Sequence, residues 1–164
     1  MIFETERLQV RKLILKDLLP FHKMQSNPKV MQFADGEIKT LQGHEKELKL
    51  LVEKYQKKNN DFWIYAIERK QDKEFIGTVA LVKDDNDDEI GYRFLEKYWG
   101  NDYGFEICKG LINYCKKMGF SKIVGYVVDK NIASAKILEK LNFIKVDSFI
   151  NDEHQQETKY ILKL

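Results

Sequence analysis

Apolar positions along the chain recur with two different periods, and the changes of period mark the elements. Leu8, Val10 and, less cleanly, Leu13 alternate with Gln9, Arg11 and Lys12, which predicts an opening strand. Asp17 heads a helix through Leu18, Leu19, Phe21 and Met24, and Pro20 falls in its first turn, where a missing N–H is tolerated. Asn27-Pro28 stops that helix; Val30, Met31 and Phe33 then form a short apolar turn, and Asp35-Gly36 a loop. Thr40 caps a second helix, in which Leu41, His44, Leu48, Leu51, Val52 and Tyr55 share a face opposite Lys and Glu. Asn59-Asn60-Asp61 ends it.

Residues 62–67 and 75–81 read as a hairpin joined by a polar stretch, 69–74. An acidic run, 84–88, reads as a solvated turn, or as a lure for a cationic substrate, and leads into a strand over 89–94. A glycine-bearing loop, 98–104, opens a helix with Phe105, Cys108, Leu111, Ile112 and Cys115 on one face, closed by Gly119. The unbroken apolar run 123–128 marks a strand covered on both faces. A short helix over 134–141 ends at Asn142, and strands over 144–150 and 158–164 finish the chain. The order β-α-α-β-β-β-α-β-α-β-β predicts one α/β (α+β) domain, residues 1–164, with helices packed on a mixed sheet.

Charge and cysteine content narrow the partners. The 28 basic residues nearly balance 26 acidic ones, a net charge of +2, so neither nucleic acid nor an anionic membrane is an expected partner. No apolar run approaches the ~20 residues of a membrane span. Met1-Ile2-Phe3-Glu4-Thr5-Glu6-Arg7 acquires charge at once, unlike a secretory leader, and the cytoplasm is the expected location. Cys108 and Cys115 would lie about 10 Å apart on a helix, given a rise of ~1.5 Å per residue, which is beyond the ~7 Å reach of a disulfide. Buried reduced thiols are expected, and His22, His44 and His154 show no ligand spacing that would predict a metal.

The strand–loop–helix from Glu89 to Cys115 carries the most chemistry. A loop feeding a helix N-terminus offers free N–H groups and the positive end of the helix dipole to a phosphate, and glycines let the backbone approach it. Neither a Gly-x-x-x-x-Gly-Lys-Ser/Thr nor a Gly-x-Gly-x-x-Gly pattern occurs, so a P-loop and a dinucleotide fold are not indicated. No Gly-x-Ser-x-Gly elbow supports a hydrolase either.

Glu89-Ile90-Gly91-Tyr92, Tyr98-Trp99-Gly100 and Tyr103 to Glu106 resemble the acetyl-CoA motif of GCN5-related N-acetyltransferases (GNAT), in particular the Rim-type ribosomal-protein N-terminal branch. Asn131-Ile132-Ala133-Ser134, Ile137 to Phe143 and the opening Glu4-Thr5-Glu6-Arg7-Leu8-Gln9-Val10-Arg11 are similar to that branch as well, so the likeness spans the chain. It implies a mostly antiparallel twisted sheet with a splayed central strand pair. It also implies acetyl-CoA as donor, and an amine acceptor that is a protein N-terminus or a small molecule. The alternative is a non-catalytic domain of the same fold. A monomer or a homodimer would both suit the family.

Carried over by resemblance, Tyr92, Phe94, Trp99, Gly100, Asn101, Asp102, Tyr103, Gly104, Asn131 and Ser134 would bind the cofactor. Glu89 would be the general base, the Phe94 N–H would hold the carbonyl oxygen, and Ser134 would serve the leaving thiolate or else cap its helix. Asp102 replaces the usual second glycine of the loop, Lys97 a Gln or Arg, Glu96 a proline and Asn142 a glycine.

Overall fold

The computed structural model describes residues 1–34 and 36–164, so Asp35 of the expected 35–36 loop lies outside the described residues. The strands are β1 (Phe3–Glu4), β2 (Leu8–Lys12), β3 (Phe62–Arg69), β4 (Phe75–Asp84), β5 (Asp87–Phe94), β6 (Lys122–Val128), β7 (Ile144–Ile150) and β8 (Gln156–Lys163). They form one sheet in the order β1-β2-β3-β4-β5-β6-β8-β7. The helices are α1 (Leu18–Gln25), α2 (Leu41–Lys54), α3 (Tyr103–Lys117) and α4 (Ile132–Lys140). Among the described residues, no helix is long and apolar enough to cross a membrane.

Neighbouring strands are antiparallel except β5 and β6, which run parallel at the centre. That pair shares a single register contact, Glu89 opposite Val124, close to the N-terminal end of each strand. Beyond it the strands part, whereas β4 and β5 stay paired from Asp84–Asp87 through Gly77–Phe94. The central splay implied by the resemblance is therefore present.

Packing follows the apolar pattern. Leu8, Val10, Ile67, Ile76, Val79 and Ile123 are buried in the sheet, and α3 buries Ile107, Cys108, Leu111, Ile112 and Cys115 on it. Phe105, expected on that face, lies instead toward α4, with Lys140 over its ring at 5.8 Å. Both cysteines are free, and burial pushes each thiol up to about 12.

The acidic run forms the expected turn, with Asp85 and Asn86 exposed at its tip; Asp84 pairs with Asp87, and Lys122 at 2.6 Å and Lys159 at 2.5 Å neutralise Asp87. Two local differences from the sequence pattern have physical causes. Asp17 does not cap α1; it accepts the Ile14 N–H at 2.9 Å and two bonds from Arg11 at 2.8 and 2.9 Å. Helix α4 begins before Ser134, because the Asn131 side chain accepts the Ser134 N–H and takes the capping role. Thr40 caps α2 through the Gly43 N–H, and Asn142 takes φ 67, both as expected.

Candidate active site in the splay between the central strands

The parting of β5 and β6 leaves a cleft of about 1180 Å³. Tyr92 and Phe94 of β5, the whole loop from Tyr98 to Gly104, and Asn131 and Ser134 of α4 line it. Ten of the eleven residues singled out in the sequence thus meet in one place: Tyr92, Phe94, Trp99, Gly100, Asn101, Asp102, Tyr103, Gly104, Asn131 and Ser134. Val30 and Phe33, from the apolar turn after α1, also reach it. Glu89 is set apart, at the apex where the two strands still touch.

Strand alternation divides the groups between two faces. Tyr92 and Phe94 point toward α3 and α4: a Cβ added at Gly104 would stand 3.2 Å from the Tyr92 ring, and the Phe94 ring lies 6.2 Å from that of Tyr103. Arg93 points the other way and donates to Gln25 of α1. Glu89 shares the face of Arg93, four residues along and in phase with it, with only Gly91 between them on that side. On β6, Gly125 faces α4, where an added Cβ would sit 3.1 Å from Leu138. Tyr126 therefore faces the Glu89 side, and its hydroxyl donates to Asp84 at 2.7 Å.

The backbone of β5 offers the cleft a donor. The Leu95 N–H reaches across to the Ile76 carbonyl at 2.9 Å, so by the alternation of an antiparallel ladder the Phe94 N–H turns away from β4, toward the space β6 has left. The Phe94 carbonyl is held by the Trp99 indole N–H at 3.1 Å, which pins the start of the loop to the end of the strand.

Two left-handed residues, Gly100 at φ 74 and Asp102 at φ 60, shape the loop. Asn101 braces it by donating to the Tyr98 and Trp99 carbonyls, each at 3.0 Å. The Glu106 N–H is the first to bond back, to Asp102 O at 3.1 Å, so the N–H groups of Tyr103, Gly104 and Phe105 lack helical partners and lie at the positive end of the α3 dipole. The Asp102 side chain is exposed and makes no cap bond. These features fit a diphosphate: open N–H donors and a turn left-handed at two positions.

A clamp behind the loop escaped the sequence reading. Glu106 accepts from the Thr5 hydroxyl at 2.5 Å, the Arg7 N–H at 2.8 Å and Arg7 Nε at 2.6 Å. Arg7 Nη2 continues to the Asn101 carbonyl at 3.0 Å, and its guanidinium lies 4.5 Å from the centre of the Tyr103 ring. Burial pushes the Glu106 carboxyl up, but the Thr5 and Arg7 donors outweigh it and hold the group below its ordinary value. The opening Thr5-Glu6-Arg7 was visible as part of a resemblance; its partners, about a hundred residues away, leave no local signal.

Comparison with known proteins bears on family and fold. The profile of the acetyltransferase (GNAT) domain matches residues 7–144. YoaA, an uncharacterized N-acetyltransferase of Bacillus subtilis (strain 168), is 29% identical over 164 residues, covering 97% of this chain and 92% of that protein. A GNAT-family acetyltransferase from Bacillus anthracis superposes with a TM-score of 0.85 at 20% identity, over 98% of this chain and 97% of that one. RimL, a ribosomal L7/L12 α-N-protein acetyltransferase solved with coenzyme A, gives a TM-score of 0.84 at 14% identity, over 98% and 96% of the two chains.

Proposed function

Because the chain belongs to the acetyltransferase (GNAT) family, we propose that it transfers an acetyl group from acetyl-CoA to a primary amine, either a protein N-terminus or a small molecule. One observation carries this reading: the splay of β5 from β6 opens directly onto the left-handed loop and free N–H groups that begin α3. A slot beside a strand, ending at a phosphate cradle, suits a thioester on a long arm. The solved complex of the RimL likeness with coenzyme A supports the choice of donor.

Acetyl-CoA would supply the thioester; the residues of this chain supply the rest. The N–H groups of Tyr103, Gly104 and Phe105 hold the diphosphate. Phe94 N–H, fixed in the ladder, meets the carbonyl oxygen as charge develops on it. An ammonium with a pKa of about 8 to 10.4 must lose a proton before it can attack. Glu89 takes that proton, directly or through water, from the face it shares with Arg93 and Tyr126. The Ser134 hydroxyl, released from capping by Asn131, faces the departing sulfur. Asn131 thus acts through the start of α4, holding Ser134 in place.

Calorimetric titration with acetyl-CoA, with adenosine as control, tests the reading. Micromolar one-to-one binding of the cofactor alone is expected, followed by thiol release when amine acceptors are screened. Absence of binding at millimolar acetyl-CoA would leave only a non-catalytic domain of this fold.

A further inference from the structure

Two cations on the wall of the cleft lack a counter-charge among the described residues. Lys136 and Lys140 lie four residues apart on α4, so they share one stripe of its surface, and both line the cleft. Ile137, between them in sequence, packs on the first turn of α3: a Cβ built on Gly104 would lie 3.0 Å from its Cδ1. Lys140 Nζ stands 5.8 Å from the centre of the Phe105 ring, in the same turn of α3. The lysine stripe therefore flanks the helix start that presents the N–H groups of Tyr103, Gly104 and Phe105. The acids nearby in sequence or space are otherwise engaged. Glu139 of α4 turns to Lys145 at 3.2 Å, and Glu106 of α3 is committed to Thr5 and Arg7. A cation in the last turn of a helix suits its dipole, which accounts for Lys140 in part. Lys136, a full turn earlier, has no such reason to face the cleft.

Coenzyme A carries phosphate in two places, a diphosphate and a monoester on the 3′ carbon of its ribose. With the diphosphate on the N–H groups of α3, the monoester still brings a charge of about −1.5 to −2 near pH 7. We propose that Lys136 and Lys140 bind this 3′-phosphate, and so select CoA over 3′-dephospho-CoA. The inference rests on the acetyl-CoA reading and names which form of the donor the cleft takes. No bond forms or breaks in it; the two lysines act on affinity and on the placement of the adenosine end. Lysine suits the task, because a compact charge on a flexible stem can follow a phosphate that stays partly in water.

The test needs no acceptor amine. Calorimetry of the parent with CoA and with 3′-dephospho-CoA reads the selection directly. About tenfold tighter binding of CoA is expected at low salt, the effect of two exposed ion pairs, and the ratio should shrink as ionic strength rises. In Lys136→Gln/Lys140→Gln the ratio should fall to near one, through weaker binding of CoA with 3′-dephospho-CoA unchanged. Both side chains are exposed, so the variant should fold as the parent does. Lys116→Gln/Lys117→Gln makes the same change of net charge at the far end of α3, outside the cleft, and should keep the parental ratio. Equal affinity of the parent for the two donors would overturn the assignment while leaving the cofactor reading intact. So would an equal loss of both donors in the α4 variant, or an equal fall of the ratio in the α3 variant. Failure of the parent to bind either donor would remove both readings.

Discussion

Asp102 stands at φ 60 with its carboxylate exposed, at the mouth of a set of N–H groups suited to a diphosphate. A left-handed backbone is what glycine adopts most cheaply, and Asp tolerates it better than most residues. The loop thus keeps its shape without the glycine, at the expense of a negative charge near the phosphates. Asp102→Gly is expected to tighten CoA binding about fivefold at low salt, the effect of removing one like charge of roughly 1 kcal/mol across water. The gain should shrink as ionic strength rises; calorimetry at two salt concentrations reads it, and equal affinities would mean the carboxylate points away. Ser134 and Asn131 separate in a similar way. Since Asn131 holds the cap bond at 3.3 Å, Asn131→Ala should lower stability by about 1 kcal/mol. Ser134→Ala, at a position where the hydroxyl caps nothing, should cost under ~0.5 kcal/mol while reducing turnover more than CoA affinity. Thermal unfolding beside steady-state kinetics distinguishes them, and equal turnover of Ser134→Ala and parent would remove Ser134 from the mechanism.

At the scale of elements, the position of α3 decides whether the loop is in place. Its apolar face was legible from the spacing of Cys108, Leu111, Ile112 and Cys115, and its end from Gly119, because both are local signals. The clamp was not legible. Thr5, Arg7 and Glu106 meet only because β1 runs against α3, so closely that a Cβ on Gly110 would stand 2.6 Å from Thr5 Cγ2. The two-residue β1 is too short to show a period, and Phe105 reads as core by spacing although α4 claims it. The cap expected at Asp17, and the alternative of a cap at Ser134, are displaced for one reason: Asn and Asp compete for backbone N–H groups a few residues away, and the winner depends on how the chain turns into the helix. Arg7→Ala removes the bond to Asn101 and the guanidinium above Tyr103 without touching the cleft, so weaker CoA binding with a modest loss of stability is expected. The Glu106 clamp also has a pH signature. Its carboxyl is depressed in the folded chain, so its stabilisation is complete above the ordinary carboxylate pKa of about 4.3 and is lost as pH falls through the lowered value. Glu106→Gln should flatten that acid limb of the melting temperature; an unchanged limb would show that the clamp contributes nothing to it.

For the whole molecule, the sheet order depends on contacts no single segment records. A two-sided apolar run foretold a central β6, yet its meeting with β5 at Glu89–Val124, and its parting beyond, leave no mark in either segment; α3 and α4 pack on this pair, while α1 and α2 cover β4 and β3. Those two covering helices are joined by His22 and His44, whose Nδ1 atoms lie 2.7 Å apart, with ring centres at 5.0 Å. One ring must donate and the other accept, so the contact needs at least one neutral imidazole. His44 is almost fully buried, and burial is the main force lowering its pKa, opposed by Glu47 and assisted by His22 and Lys39. The sign follows from that depression: the unfolded chain takes up a proton near the ordinary value of about 6.5, while the folded chain resists until lower pH. Stability is therefore full above about 6.5 and declines as pH falls toward the lowered value. This places a loss of melting temperature at mildly acidic pH, above the carboxylate range where Glu106 acts. His44→Phe fills a similar space without a titrating group, and should remove the mildly acidic decline while leaving the one near pH 4 in place, so a decline that persists in the variant would assign it to another group.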